Sequence, residues 1–233
     1  MSAISKKFFI TGTDTEVGKT YITIGLLKKF NKLSFTTIGI KPVASGGFYD
    51  NGKILNNDAL QLQQHSSLLV EYNQTNPYSF IPAISPNIAS DYLGTSLTVE
   101  NIFKKISPIF NLGADICIIE GIGGWHTPLN NNETMADFVV KCNIPVILVI
   151  GIKLGCLNHA ILTVNVIKNA GVCLQGWIAN CLDPSMIAKS GCIATLKNYI
   201  KAPCLGIVDY NQHPEEVIQE FFTHDYFKTC KKI

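Results

Sequence analysis

The segment Gly12-Thr13-Asp14-Thr15-Glu16-Val17-Gly18-Lys19-Thr20 carries the residue types that binding a polyphosphate requires. Glycines let a backbone turn its N–H groups toward one point, and a helix that starts there adds its partial positive end. Lys19 would reach the outer phosphates of a nucleotide, and the Thr20 hydroxyl can ligate magnesium. Five residues separate Gly12 from Gly18, where the usual GxxxxGK[ST] pattern has four, so the loop is one residue longer. The reading is a phosphate loop for a nucleotide and magnesium, running through Glu16, Val17, Gly18, Lys19, Thr20 and Tyr21.

Magnesium held between phosphates needs oxygen ligands beyond one threonine. Glu120 closes an apolar run and is followed by Gly121-Ile122-Gly123-Gly124, a turn through which backbone can approach a phosphate. Asp58, in Asn57-Asp58-Ala59-Leu60, is either a second ligand or simply the N-cap of a helix. Lys41 begins Lys41-Pro42-Val43-Ala44-Ser45-Gly46-Gly47, and Pro42 biases it toward extended backbone. It is either a second cation for charge developing in phosphoryl or acyl-phosphate transfer, or an exposed lysine at a strand end. All 19 basic residues are lysines, so no arginine finger or guanidinium clamp is available. Leu154-Gly155-Cys156-Leu157-Asn158-His159 reads as another helix N-terminus, suited to a phosphate or a carboxylate.

These residues need elements to hold them, and six apolar runs recur at 8–11, 36–40, 116–119, 146–150, 177–179 and 205–208. None alternates, which fits strands covered on both faces, and helically spaced segments such as Ile22, Leu26, Leu27, Phe30 lie between them. The fold class is therefore α/β: one doubly wound, mainly parallel sheet with helices on both faces, read as a single domain over 1–233. Gly12, Lys41, Glu120, Gly151, Asn180 and Asp209 follow the runs directly, at the carboxyl edge where open sheets bind ligands. The stretch 72–94, with Pro77, Pro82 and Pro86, reads as a surface excursion.

A formal charge of +2 is too balanced for a chain that grips nucleic acid or an anionic membrane. The eight cysteines form no CxxC pair and read as buried reduced thiols. No apolar run is long enough for a signal peptide or a membrane span, and a cytoplasmic protein is expected.

With those motifs in their order, the chain resembles the dethiobiotin synthetases over nearly its whole length. The likeness rests on the long loop from Gly12 to Thr20, on Lys41-Pro42-Val43-Ala44-Ser45-Gly46 and on Asn76-Pro77-Tyr78. It extends to Glu120-Gly121 with Gly123-Gly124-Trp125, and to Lys153-Leu154-Gly155-Cys156 with Asn158-His159-Ala160. The resemblance implies ATP, Mg2+, CO2 and 7,8-diaminononanoate, joined through a carbamate and a carbamic–phosphoric anhydride into a ureido ring. It implies Lys19, Lys41 and Thr15 as catalytic residues, Thr20, Asp58 and Glu120 as magnesium ligands, and Ser45 against the substrate. It also implies a homodimer in which Gly155, Cys156, Leu157, Asn158 and His159 of the partner chain receive the substrate carboxylate. The adenine pocket by the same likeness is Asn180, Cys181, Asp209, Tyr210, Asn211 and Glu216, although proline would be expected where Asp209 stands.

The rival reading is a P-loop switch ATPase of the kind that positions septa and partitions plasmids. Such proteins carry a further lysine near the position of Thr13, and it is absent here. Their basic C-terminal helix is similar to 217–232, but Glu215, Glu216, Glu220 and Asp225 offset Lys228, Lys231 and Lys232. A small-molecule kinase on the same loop would lack a recognisable lid.

Overall fold

The computed structural model describes residues 6–218. Its main sheet has six strands, in the spatial order Cys204–Val208, Leu174–Cys181, Val146–Ile152, Lys6–Gly12, Ile116–Glu120 and Thr37–Ile40. Every neighbouring pair is parallel. Each of the six apolar runs became one of these strands. A parallel strand is buried on both faces, so it uses the unbroken β-branched runs that the sequence supplies.

Side chains one residue apart go to opposite layers. Phe8, Ile10, Ile116, Ile118, Ile147 and Val149 meet Ile22, Leu26, Leu27 and Phe30 of the Lys19–Lys32 helix on one face. Phe9, Ile38, Ile40, Cys117 and Ile119 meet Phe138, Val139 and Ile102 on the other. Along the far half of the sheet Leu148, Ile150, Trp177 and Ala179 pack with Ala160, Ile193 and Leu196. The Cys156–Asn169 helix is less enclosed than its spacing suggests: Ile167 is buried, Leu157, Ile161 and Val164 are half-buried, and Leu162 is exposed.

Two expectations are corrected. The stretch 72–94 is built of a helix Tyr72–Thr75, a strand Tyr78–Phe80 and a helix Pro86–Tyr92, and it buries Thr75, Asn76, Tyr78, Phe80 and Ala89. The strand pairs in parallel with Val43–Ser45. Asn76 makes this possible, because its Nδ2 donates to the carbonyls of Lys41 (2.6 Å) and Tyr78 (3.3 Å), supplying donors where the adjacent proline has none. The second correction concerns the thiols: Cys117, Cys142, Cys156, Cys181, Cys192 and Cys204 are free, but Cys173 is disulfide-bonded.

No described helix is long and apolar enough to cross a membrane. A four-residue helix, Pro214–Val217, packs its Pro214 against Gly25, and the remainder of 217–232 beyond Ile218, with Cys230, lies outside the described residues.

Candidate active site

The first strand ends at Gly12, and the loop passes through two left-handed residues, Glu16 (φ 58°) and Gly18 (φ 85°), before the helix begins at Lys19. Gly18 is required twice over. Its φ is strained for any L side chain, and a Cβ there would stand 2.1 Å from Asn180 Nδ2. Asn180 uses that nitrogen to donate to Val17 O at 2.9 Å, so the end of the Leu174–Cys181 strand pins the crest of the loop.

Lys19 is buried, and its Nζ donates to Asp14 O at 2.9 Å. Burial pushes its pKa down to about 8, helped by the charge of Lys41 and opposed by Glu120, Asp58 and Asp14. A lysine poised this way gains charge stabilisation when phosphates arrive.

Lys41, Asp58, Glu120 and Thr20 form one cluster. Lys41 Nζ donates to Glu120 Oε1 at 2.5 Å and to Asp58 Oδ2 at 2.8 Å, and Thr20 Oγ1 donates to the same Glu120 oxygen at 2.8 Å. Burial alone would lower the Lys41 pKa, but the Glu120 and Asp58 charges and their hydrogen bonds outweigh it, and the ammonium is held above its ordinary range. Lys41 is thus a buried cation, not an exposed lysine. Asp58 is not the helix cap, because Asn56 fills that role with its side chain accepting from Ala59 N at 3.2 Å. That leaves the Asp58 carboxylate free to face Lys41.

Glu120 is fully buried, and its Oε2 has no hydrogen-bond partner. A buried carboxylate oxygen left bare is costly unless a cation or donor meets it. Thr20, Asp58 and Glu120 offer the hard oxygens that Mg2+ takes, and residues and ion fit. No group of three or more His, Cys, Asp or Glu that could hold a metal exists among the described residues, so water or ligand oxygens would have to complete the shell. Beyond Glu120, Gly121 N donates to Ile10 O at 2.9 Å, Ile122 is half-buried, and Gly123 takes φ 61°.

At the other end of the loop Tyr21 OH donates to Gln212 O at 2.8 Å, which ties the helix to the turn after the last strand. In that turn Asp209 accepts from Lys189 Nζ at 2.6 Å, Asn211 is left-handed (φ 60°) and Tyr210 is exposed. Cys181 is buried beside Asp209, and burial pushes its thiol up to about 11. Glu216 is exposed but close to Tyr21, whose hydroxyl is raised by burial first and then by the Glu215 and Glu216 charges.

Ser45 ends the Val43–Ser45 strand with its Oγ buried and unpartnered, and Thr15 is exposed on the loop. The 155–159 turn opens with Gly155 at φ 88° as N-cap of the Cys156–Asn169 helix. Cys156 is buried, Leu157 half-buried and Asn158 exposed, and His159 Nδ1 is enclosed without a partner. This turn meets the phosphate loop through Lys153, whose Nζ lies 2.9 Å from Asp14 Oδ2. Asn56 and Lys189 were not singled out from sequence, and Asp14 and Lys153 stood there only inside longer motifs, with no role of their own. The available signal was Asp14 itself, an acid inside a loop built for an anion. A groove of about 770 Å³ lined by Leu60, Gln63, Leu69, Val70 and Gln74 contains none of these residues.

A parallel sheet with a phosphate loop at its carboxyl edge, and Lys19, Thr20 and Glu120 converging there, defines a P-loop ATPase. A family model described as an AAA domain matches residues 6–216. The chain is 43% identical over 213 residues to an ATP-dependent dethiobiotin synthetase of Yersinia pestis bv. Antiqua (strain Angola), covering 91% of this chain and 88% of that one. It is 44% identical over 203 residues to the ATP-dependent dethiobiotin synthetase of Cellvibrio japonicus (strain Ueda107), covering 87% and 89%. The chain belongs to the dethiobiotin synthetase family and is an ATP-dependent enzyme of that class. Among solved structures it is similar to the septum site-determining protein MinD of Pyrococcus horikoshii OT3 complexed with Mg-ADP. The TM-score is 0.55 at 14% identity, over 91% of this chain and 86% of that one. It is likewise similar to the cell division protein FtsY of Thermotoga maritima, at a TM-score of 0.55 and 15% identity over 91% and 64%. At such identities the likeness is one of fold.

Proposed function

We propose that this chain closes the ureido ring of dethiobiotin from 7,8-diaminononanoate, CO2 and ATP, with Mg2+, in the cytoplasm, as one domain of a homodimer. The observation that carries the reading is the Lys41–Glu120–Thr20 cluster beside Lys19, two buried cations and a buried carboxylate at one strand edge. One substrate amine adds to CO2 and loses a proton, giving a carbamate. A carbamate oxygen attacks the γ-phosphorus, and ADP departs. The second amine then attacks the carbamate carbon, loses its proton and expels phosphate.

In this reaction negative charge passes from the attacking carbamate oxygen across the transferring phosphoryl group to the departing ADP, and Lys41 and Lys19 stabilise it. Mg2+, when bound, neutralises phosphate charge, and Thr20, Asp58 and Glu120 are the residues to hold it. Ser45, with its Oγ unpartnered, and Thr15 position the carbamate. Asn180 and Cys181, with Asp209, Tyr210, Asn211 and Glu216, lie toward the adenine, and the N–H groups of 155–159 receive the substrate carboxylate across the subunit boundary.

The test is ADP release with Mg2+, ATP and bicarbonate, with and without 7,8-diaminononanoate. Strict dependence on the diamine supports ring closure. Diamine-independent hydrolysis with no organic product overturns it in favour of the switch-ATPase reading.

A further inference from the structure

Asp14 stands where a phosphate loop should repel its own ligand. Its carboxylate is engaged on both oxygens: Oδ1 accepts from Thr15 N at 2.8 Å and Oδ2 from Lys153 Nζ at 2.9 Å. Its carbonyl meanwhile accepts from Lys19 Nζ at 2.9 Å. One residue therefore holds the phosphate-binding lysine with its main chain and a distant lysine with its side chain. The hydrogen bond from Lys153 is the largest cause of the lowered Asp14 pKa, with the charges of Lys153 and His159 adding to it.

Lys153 directly follows the Val146–Ile152 strand and directly precedes the turn. Its carbonyl accepts from Cys156 N at 3.0 Å, and Gly155 O accepts from His159 N at 3.2 Å, so a shift of Lys153 shifts the N–H groups of 155–159 with it. The strand itself is fixed to the loop by Thr13 N donating to Val149 O at 3.1 Å, which leaves the lysine side chain as the adjustable link.

We infer that Lys153 is a positioning residue whose ion pair with Asp14 couples the phosphate loop to the turn that receives the substrate carboxylate. This rests on the role proposed above for residues 155–159. Lys153 does two things: it cancels the acid that would oppose the phosphates, and it sets the angle of the turn. If the turn serves the neighbouring subunit's substrate, the pair links the nucleotide end of one site to the carboxylate end of the other. The two side chains are 41% and 43% exposed, so the effect is modest and screened by salt.

The test measures the dissociation constants of ATP and of 7,8-diaminononanoate separately, by calorimetry on the full chain, with thermal stability as a control. Lys153→Met should weaken both ligands about 3- to 5-fold at low salt, while Lys153→Arg stays near wild type. Adding Asp14→Asn to Lys153→Met should recover ATP affinity, because the uncompensated acid is gone, without recovering affinity for the diamine acid. If Lys153→Met leaves either constant unchanged, or weakens ATP alone, the coupling is overturned. A wild-type chain that neither binds nor turns over the diamine acid would instead sink the functional reading itself, before any variant is made.

Discussion

The ammonium of Lys41 donates to Glu120 Oε1 across 2.5 Å, and neither side chain has appreciable access to water. Each needs the other, since a buried charge without a partner is far more costly than the pair.

Removing one partner should therefore damage fold and activity together. Lys41→Met should destabilise the protein by about 3–5 kcal/mol and reduce turnover at least about a hundredfold. Lys41→Met with Glu120→Gln should be less unstable than the sum of the single variants, because the stranded charge is gone. Glu120→Gln alone should cost less stability than Lys41→Met, because Lys41 keeps its ion pair with Asp58, but should lose magnesium-dependent turnover. Denaturant melts of the three variants and a magnesium titration check this, and additive losses would argue against a true pair.

Gly18 makes a second, sharper prediction. Gly18→Ala forces a side chain into φ 85° and onto Asn180 Nδ2, so stability should fall by about 1–3 kcal/mol and ATP affinity with it. Gly52 is also left-handed at φ 79°, but nothing lies within 4 Å of its would-be Cβ. Gly52→Ala should lose stability only, and an equal loss of ATP binding in both would show that Gly18 has no special contact.

The contrast between these glycines marks what a sequence can reveal. The unbroken apolar runs and the Gly–Lys–Thr spacing announced the sheet and loop, because burial and anion binding are local demands on residue type. Asp58 was undecided between cap and ligand because the choice depended on Asn56, two residues earlier, taking the cap. The partial burial of the segment 72–94 was hidden by its prolines, since the Asn76 side chain that ties it to Lys41 acts across 35 positions. Lys153 and Asp14 are 139 apart, and only the folded sheet edge brings them together.

Lys19 gives a direct test of the nucleotide site. Its ammonium is buried and held by the loop carbonyl of Asp14, so Lys19→Ala should abolish turnover and sharply weaken ATP binding. Calorimetry showing unchanged ATP affinity would remove Lys19 from the site.

Cys117 offers a prediction on pH. Burial raises its thiol to about 12 from an ordinary 9, with the Lys7 charge opposing. The folded state thus keeps its proton where the unfolded state releases it, so this contribution to stability is complete below pH 9 and is lost as pH climbs toward 12. Iodoacetamide at pH 8.5 should leave Cys117 unmodified in the folded protein and label it in urea, as peptide mass mapping would report. Equal labelling in both states would contradict its burial.

The ring-closing reaction itself is tested most directly by following the carbon. The protein is incubated with ATP, Mg2+, 7,8-diaminononanoate and carbon-13 bicarbonate, and the organic product is weighed by mass spectrometry. Ring closure yields a product heavier than the diamine acid by one labelled carbonyl less two hydrogens, formed in equal amount to ADP. ADP accumulating without any labelled product would contradict it.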